Sequence, residues 1–408
     1  MKCRHCQAEL NLSLIDLATS PPSNAYLTQK MLHAPEKYFP LRVVVCQECW
    51  LVQTEDYAGA DELFASDYAY FSSFSTTWLK HAEKYVADMA TRFGLSEKSH
   101  VVEVAANDGY LLQYAQARGI SCLGIEPTTS TANAARAKGL EILEEFFGVQ
   151  VGQKLAAQGK SADLTAANNV LAHVPDINDF VGGFVAILKP DGVSTFEFPH
   201  LLSLVSENQF DTIYHEHYSY LSLVAVKRIF EQNGLSVFDV EELPTHGGSL
   251  RVFAQRKDTG SRELSLNVAK LLDREVAAGM TTAEFYAGFQ DKANRVKDDF
   301  IAFLIEAKRA GKTVAGYGAA AKGNTLMNYA GIRSDLLPYV VDRNPAKQDK
   351  FLPGCRIPVV AEEHLQQTRP DYVVILPWNL RTEVIGQLAY IRDWGGKFVT
   401  AVPSLKID

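Results

Sequence analysis

The stretch Val101-Val-Glu-Val-Ala-Ala-Asn-Asp-Gly109 decides the reading of this chain. Val101 to Ala105 is a short apolar run of branched and small residues, the pattern of a buried strand. Ala105, Ala106 and Gly109 keep the following turn slim, so that backbone can approach a ligand closely. Glu103 lies in the run and Asp108 in the turn, two carboxylates placed to meet a cationic group. The helical stretch Trp78 to Phe93 precedes this strand. Strand candidates Cys122 to Glu126, Glu141 to Glu144, Asp163 to Ala167 and Val193 to Phe198 follow, with helical segments between them. That alternation predicts a doubly wound parallel sheet.

Leu123-Gly-Ile-Glu126 ends the second strand, at the spacing where a carboxylate takes two ribose hydroxyls. A dinucleotide would use the same acid. The first turn, however, is not G-x-G-x-x-G, and Asn107 and Asp108 set polar side chains where a pyrophosphate needs bare backbone. The motif favours S-adenosylmethionine over NAD, with a Rossmann-like unit holding no ligand as the bland alternative. The expected cofactor residues are Glu103, Ala105, Asn107, Asp108, Gly109, Glu126 and Asn168, the last lining the same crevice with Asn169.

Near the N-terminus, Cys3 and Cys6 form one CxxC pair and Cys46 and Cys49 another. Two such knuckles close a tetrahedral thiolate cage around Zn²⁺ and leave no open position, so the metal is expected to be structural. Toward the C-terminus, Thr313 to Tyr317 reads as a strand. Gly318-Ala-Ala-Ala-Lys322-Gly-Asn324 then opens a helix from Ala319 to Ala330. Amides at a helix start and the Lys322 charge suit an anion. Asp342 ends the next strand as a ribose-binding acid would. Tyr372 to Leu376 and Lys397 to Val402 add strands, and Leu264 to Arg309 reads as one long helical stretch. An NAD site competes here on the residues alone.

Lys and Arg number 40 against 48 Asp and Glu, a net charge of −8. That balance argues against nucleic-acid binding, which needs a basic face. No apolar run reaches the length of about 18 residues that a membrane span needs. The N-terminus lacks a signal-peptide core, and a cytoplasmic location is expected.

Two segments concentrate polar groups that a core would not choose: Tyr68 to Ser73, and Asp211-Thr-Ile-Tyr214-His215-Glu216-His217-Tyr-Ser-Tyr220. His173 would sit at the carboxyl edge of the sheet. The His-x-His pair reads as a metal site, as a polar loop, or as proton chemistry in which imidazole removes a proton and tyrosine hydroxyls stabilise an enolate. Arg251, after two glycines, lines a substrate cleft or closes a tight turn.

Taken in order, these segments resemble the sugar C-methyltransferase family, which branches the deoxysugars of antibiotics and bacterial surface glycans. The resemblance spans essentially the whole chain. It rests on the two CxxC pairs, Asn107-Asp-Gly109, Asn168-Asn-Val-Leu-Ala-His173, Tyr214-His-Glu-His217, His246-Gly-Gly-Ser-Leu-Arg251 and Gly316-Tyr-Gly-Ala-Ala-Ala-Lys-Gly-Asn-Thr325. It implies a zinc-binding domain (1–66), a central Rossmann-like methyltransferase domain (67–251) and a C-terminal Rossmann-like α/β domain (252–408) that contacts a nucleotide-sugar. It implies His217 as base, with Tyr214, Glu216, Tyr68 and His173 as further catalytic positions. Arg251, Gly318, Lys322, Asn324 and Asp342 are the expected substrate contacts.

The expected reaction starts from a 4-keto-deoxysugar nucleotide. His217 takes the hydrogen on carbon 3, Tyr68 or Tyr214 stabilises the enolate, and the carbanion accepts the methyl group of S-adenosylmethionine. An NAD(P)-dependent oxidoreductase acting on a nucleotide-sugar is the alternative. The protein is expected as a monomer or homodimer. One departure stands out: the family turn begins Glu-Ile-Gly, and here it is Glu103-Val-Ala105. A positive φ at that alanine would strain the turn.

Overall fold

The computed structural model describes residues 1–55, 57 and 71–408, organised around three sheets. The first is antiparallel: β1 (Leu12–Ser20), β2 (Phe39–Val45) and β3 (Val52–Thr54). It is completed by β9 (Ser219–Tyr220), which enters from far along the chain and pairs with β3.

The second sheet contains β4 (His100–Val104), β5 (Ser121–Ile125), β6 (Ile142–Leu143), β7 (Ala162–Asn168) and β8 (Leu188–Pro199), joined by β10 (Leu235–Leu243) and β11 (Ser249–Arg256). Its order is β10-β11-β8-β7-β4-β5-β6. The expected parallel strands are present. Strand β11, absent from the sequence reading, inserts antiparallel between β8 and β10. Chain order reverses at β4, which has β5 on one side and β7 on the other. A doubly wound sheet opens its ligand crevice at the carboxyl ends of such strands.

The third sheet has the order β14-β13-β12-β15-β16-β17, built from β12 (Val314–Tyr317), β13 (Val340–Val341), β14 (Val359–Val360), β15 (Tyr372–Ile375), β16 (Lys397–Thr400) and the antiparallel β17 (Lys406–Ile407). Its reversal lies at β12, flanked by β13 and β15, so the Gly318 turn opens a second crevice.

Local chemistry sets the helix ends. The Ser75 side chain accepts from the Trp78 amide at the start of Thr76–Phe93, and Gly94 closes that helix at φ +63°. The long stretch read as one helix is broken near Gly279 and Gly288, both at positive φ, into Leu266–Ala277, a short turn and Phe289–Arg309. Among the described residues, no helix is long and apolar enough to cross a membrane.

Glu275 ties these layers together. Its carboxylate accepts from the Leu223 and Val224 amides at 2.7 Å, capping the helix Leu223–Gln232, and pairs with His200 Nε2 at 2.7 Å. Glu275 is fully buried. Glu275→Ala should therefore lower the unfolding free energy by about 3 kcal/mol, because it strands a buried imidazole and two helix amides. A urea titration of the purified variant checks this, and a loss below about 1 kcal/mol would remove Glu275 from that role.

Candidate active site

The turn after β4 carries three successive constraints. Ala105 adopts φ +60°, Asn107 +50° and Gly109 +76°. A Cβ on Gly109 would lie 2.2 Å from Leu140 Cδ1, so only glycine fits there. Ala105 holds the left-handed conformation that glycine adopts without cost, the strain anticipated from its departure from Glu-Ile-Gly.

Around this turn, Glu103, Asp108, Glu126 and Asn168 are buried together. Glu126 is fixed by the Asn107 and Thr128 amides, both at 2.9 Å. Asn107 Oδ1 and Asp108 Oδ2 accept from the Ser72 and Ser73 amides at 2.9 and 3.2 Å. Glu103 Oε2, Asp108 Oδ1 and Asn168 Oδ1 remain buried with no hydrogen-bond partner. Burial, with the nearby Asp108 and Glu126 charges, pushes the Glu103 carboxyl well up. Two acids with orphaned oxygens, Glu103 and Asp108, beside Glu126 and Asn168 fit a ligand that brings an ammonium, a sulfonium and a ribose diol.

The two CxxC knuckles fold alike. Gln7 N donates to Cys3 O at 3.0 Å and Trp50 N to Cys46 O at 2.9 Å, with Gln7 and Trp50 both at positive φ. The four Sγ atoms lie within 4.8 Å of one another, with Cys3–Cys49 at 3.6 Å and Cys6–Cys46 at 3.5 Å. Tetrahedral zinc with bonds of about 2.3 Å needs sulfurs about 3.8 Å apart, so the cage fits the metal. Gln53 Nε2 donates to Cys3 Sγ at 3.3 Å, an outer-shell contact. Cys46 and Cys49 close the β2–β3 connection, and β3 leads to Thr54, whose Oγ1 donates to the His217 carbonyl at 3.2 Å.

Tyr214 to His217 forms a tight turn, with His217 N donating to Tyr214 O at 2.9 Å. The turn sends its side chains to different neighbours. His215 Nε2 faces the Phe39 and Pro40 carbonyls. Glu216 accepts from Ser23 Oγ at 3.1 Å and Asn24 Nδ2 at 3.0 Å, so it braces the turn against the N-terminal lobe. His217 Nδ1 donates to the Thr212 carbonyl at 2.9 Å. Its ring lies 3.9 Å from that of Tyr214 and 4.6 Å from that of His173. The His173 ring donates to the Glu216 carbonyl, and burial brings its pKa down to about 4. Burial and then the neighbouring His173 hold His217 well below the usual histidine range. Both rings are neutral at pH 7. Among the described residues, the four cysteines are the one cluster suited to a metal, so the His-x-His pair is not part of such a cluster. Tyr68 lies outside the described residues.

The expected substrate contacts divide. Lys322 Nζ donates to Asn379 Oδ1 at 2.7 Å and sits 4.6 Å from the Trp378 ring centre. Asn324 Nδ2 donates to the Ser23 carbonyl, and its Oδ1 is buried without a partner. Asp342 accepts from the Ala319 and Asn344 amides at 2.8 Å, so it shapes the turn at Gly318. Gly318 is pressed against Pro377, where a Cβ would meet Cδ at 2.5 Å. Arg251 pairs with Glu197 at 3.0 Å and Glu241 at 3.2 Å over the Tyr85 ring, so its guanidinium holds Glu197.

Several residues beside the site received no role in the sequence reading. Burial would raise the Glu197 carboxyl, but His81 and Arg251 outweigh it and keep the group ionised. Its signal was an acid inside the apolar run Thr195-Phe-Glu-Phe198. His246 takes φ +54°, lies 5.3 Å from the Trp78 ring and approaches Asn169 Nδ2 at 3.4 Å. Trp378 Nε1 donates to Asp211 at 2.8 Å.

Comparisons with known proteins place the chain in a family. Residues 244–403 match a C-methyltransferase C-terminal domain, 3–64 a zinc binding domain and 78–240 a methyltransferase domain. C-methyltransferase NovU of Streptomyces niveus is 34% identical over 406 residues, covering 100% of this chain and 96% of NovU. This chain belongs to the C-methyltransferase family. It is an S-adenosylmethionine-dependent enzyme with a zinc-binding N-terminal domain. Among solved structures, the PH0226 protein from Pyrococcus horikoshii aligns with 46% of the C-methyltransferase and 95% of its own chain (TM-score 0.39, 13% identity). Magnesium protoporphyrin IX methyltransferase from Synechocystis with bound SAH aligns over 44% and 83% (TM-score 0.35, 17% identity).

Two stability effects follow. Ala105→Gly should raise the unfolding free energy of the C-methyltransferase by about 1 kcal/mol in chemical denaturation, and a loss would show that the strain is absent. Stripping zinc with a chelator should lower the thermal unfolding midpoint and abolish turnover together. A metal-free protein as stable as the holoenzyme would mean that the cage is no staple.

Proposed function

We propose that the enzyme methylates carbon 3 of a nucleotide-linked 4-keto-deoxysugar through an enolate. One observation carries this reading. Donation of Nδ1–H to the Thr212 carbonyl leaves His217 Nε2 as the lone-pair nitrogen of a neutral imidazole. The His173 and Tyr214 rings pack on it, and the Lys322 charge lowers its proton affinity. A neutral imidazole with a fixed tautomer is a general base, and it suits a carbon acid activated by a neighbouring ketone.

The residues divide the work. Glu103, Asp108 and Glu126, with Ala105, Asn107, Gly109 and Asn168, hold S-adenosylmethionine, which supplies an electrophilic methyl group on a leaving thioether. Lys322 and Asn324 face the sugar ring of the substrate, and Asp342 sets the Gly318 turn beside them. His217 takes the proton from carbon 3, and the Tyr214 hydroxyl, with Tyr68, hydrogen-bonds the substrate. His173 packs edge-on against the base, and Glu216 fixes the turn that carries it. The enzyme mainly positions two reactants and moves one proton.

His217→Asn should lower turnover about 10³-fold while S-adenosylhomocysteine binding persists, and wild-type rates would remove His217 from the base role. Because the folded enzyme holds this imidazole well below 6.5, the acid limb of kcat/KM should also lie well below pH 6.5. A limb centred at 6.5 or above would show a base of ordinary basicity.

A further inference from the structure

The sequence suggests that Lys322 grips an anion at the Gly318 turn, but the geometry around that turn is unsuited to a diphosphate. Asp342 uses the Ala319 amide, and the Ala320 amide donates to the Gly318 carbonyl at 2.8 Å. Asp342 also occupies the turn with its own carboxylate, and the Lys347 ammonium there is taken by Asp342 Oδ2 at 3.7 Å and the Ala319 carbonyl at 2.8 Å. The Lys322 ammonium turns instead toward Asn379 and the Trp378 face.

That position is tied to the base. Trp378 donates to Asp211, and the next residue, Thr212, holds His217 through its carbonyl. Thr325, one turn along the helix from Lys322, donates from Oγ1 to the Ile213 carbonyl at 2.7 Å. The Lys322 charge is felt at both His217 and His246. An ammonium has three N–H donors. Among the described residues it has one hydrogen-bond acceptor, Asn379, and one ring face, so a donor remains for a ligand.

We propose that Lys322 is a catalytic residue of enolate formation, donating a hydrogen bond to the substrate's keto oxygen as negative charge develops there. This rests on the keto-sugar reading above. The carbon–hydrogen bond breaks, its proton goes to His217 Nε2, and the electron pair moves through the new carbon–carbon double bond onto the oxygen facing Lys322. Burial, only partly offset by Asp211, lowers the affinity of this amine for its proton, which makes it a stronger donor. A donor aimed at a developing oxyanion contributes about 10²-fold or more.

The test compares the wild-type holoenzyme with Lys322→Gln and Lys322→Arg. Hydrogen exchange with deuterated water at the sugar carbon is followed by NMR, with S-adenosylhomocysteine present and saturating 4-keto-deoxysugar nucleotides of thymidine or guanosine. Calorimetry measures the Kd of thymidine and guanosine diphosphate for the same proteins. Lys322→Gln should slow exchange about 100-fold, with Lys322→Arg between it and wild type. Diphosphate affinity should stay within about threefold, which also shows that the variants are folded. A weakened diphosphate affinity, with or without slower exchange, would overturn the proposal, as would unchanged exchange. Failure of the wild type to exchange any of these sugars would sink the keto-sugar reading itself. Exchange by the wild type with none lost in the variant removes only Lys322.

Discussion

One hydrogen bond, from His217 Nδ1 to the Thr212 carbonyl, fixes what the central turn can do. It chooses the tautomer and the ring orientation and leaves Nε2 as the lone-pair nitrogen. Its two ends lie five residues apart on one loop, so it survives only while that loop keeps its shape. Each lobe contributes to that shape. The zinc-stapled lobe supplies Ser23, Asn24 and Thr54; the C-terminal lobe supplies Thr325. The central lobe supplies the Ala172 carbonyl, which accepts from Tyr218 N at 2.8 Å. The zinc-binding lobe thereby helps to hold the turn without contributing a ring to it.

Electrostatics separates the two crevices. Around the β4 turn, acids crowd together with orphaned oxygens and invite positive charge. Across from it, neutral imidazoles lie near the Lys322 ammonium, which Asp211 partly balances. Burial raises the Asp211 carboxyl to about 6, so its ionisation is poised rather than secure. The His217 turn thus presents uncharged imidazoles beside a cation. That combination suits a reaction whose intermediate is an anion and whose partner is a sulfonium.

Much of this was legible in the sequence, for identifiable reasons. The strands at Val101 and Cys122 were readable because a parallel sheet demands continuous apolar runs. The cage was readable because thiolate spacing is geometric. The β10–β11 hairpin was missed because its strands flank a polar, glycine-rich turn and no helix separates them. Asp342 resembled a ribose acid, yet it serves its own turn, because an aspartate after a strand satisfies backbone amides equally well. Glu216 sits between two histidines in sequence but braces a different lobe, since a tight turn sends adjacent side chains to different neighbours. Arg251 read as lining a cleft or closing a turn, and Glu197 holds it in the fold. Such pairings are long-range, and no local pattern announces them.

The most direct measurement is ¹⁵N NMR of the His217 imidazole in the zinc-loaded enzyme with S-adenosylhomocysteine bound, assigned by comparison with His217→Asn. A protonated Nδ1 and a pyridine-type Nε2 at neutral pH would match the arrangement described here. An Nε2–H tautomer, or an imidazolium, would contradict it.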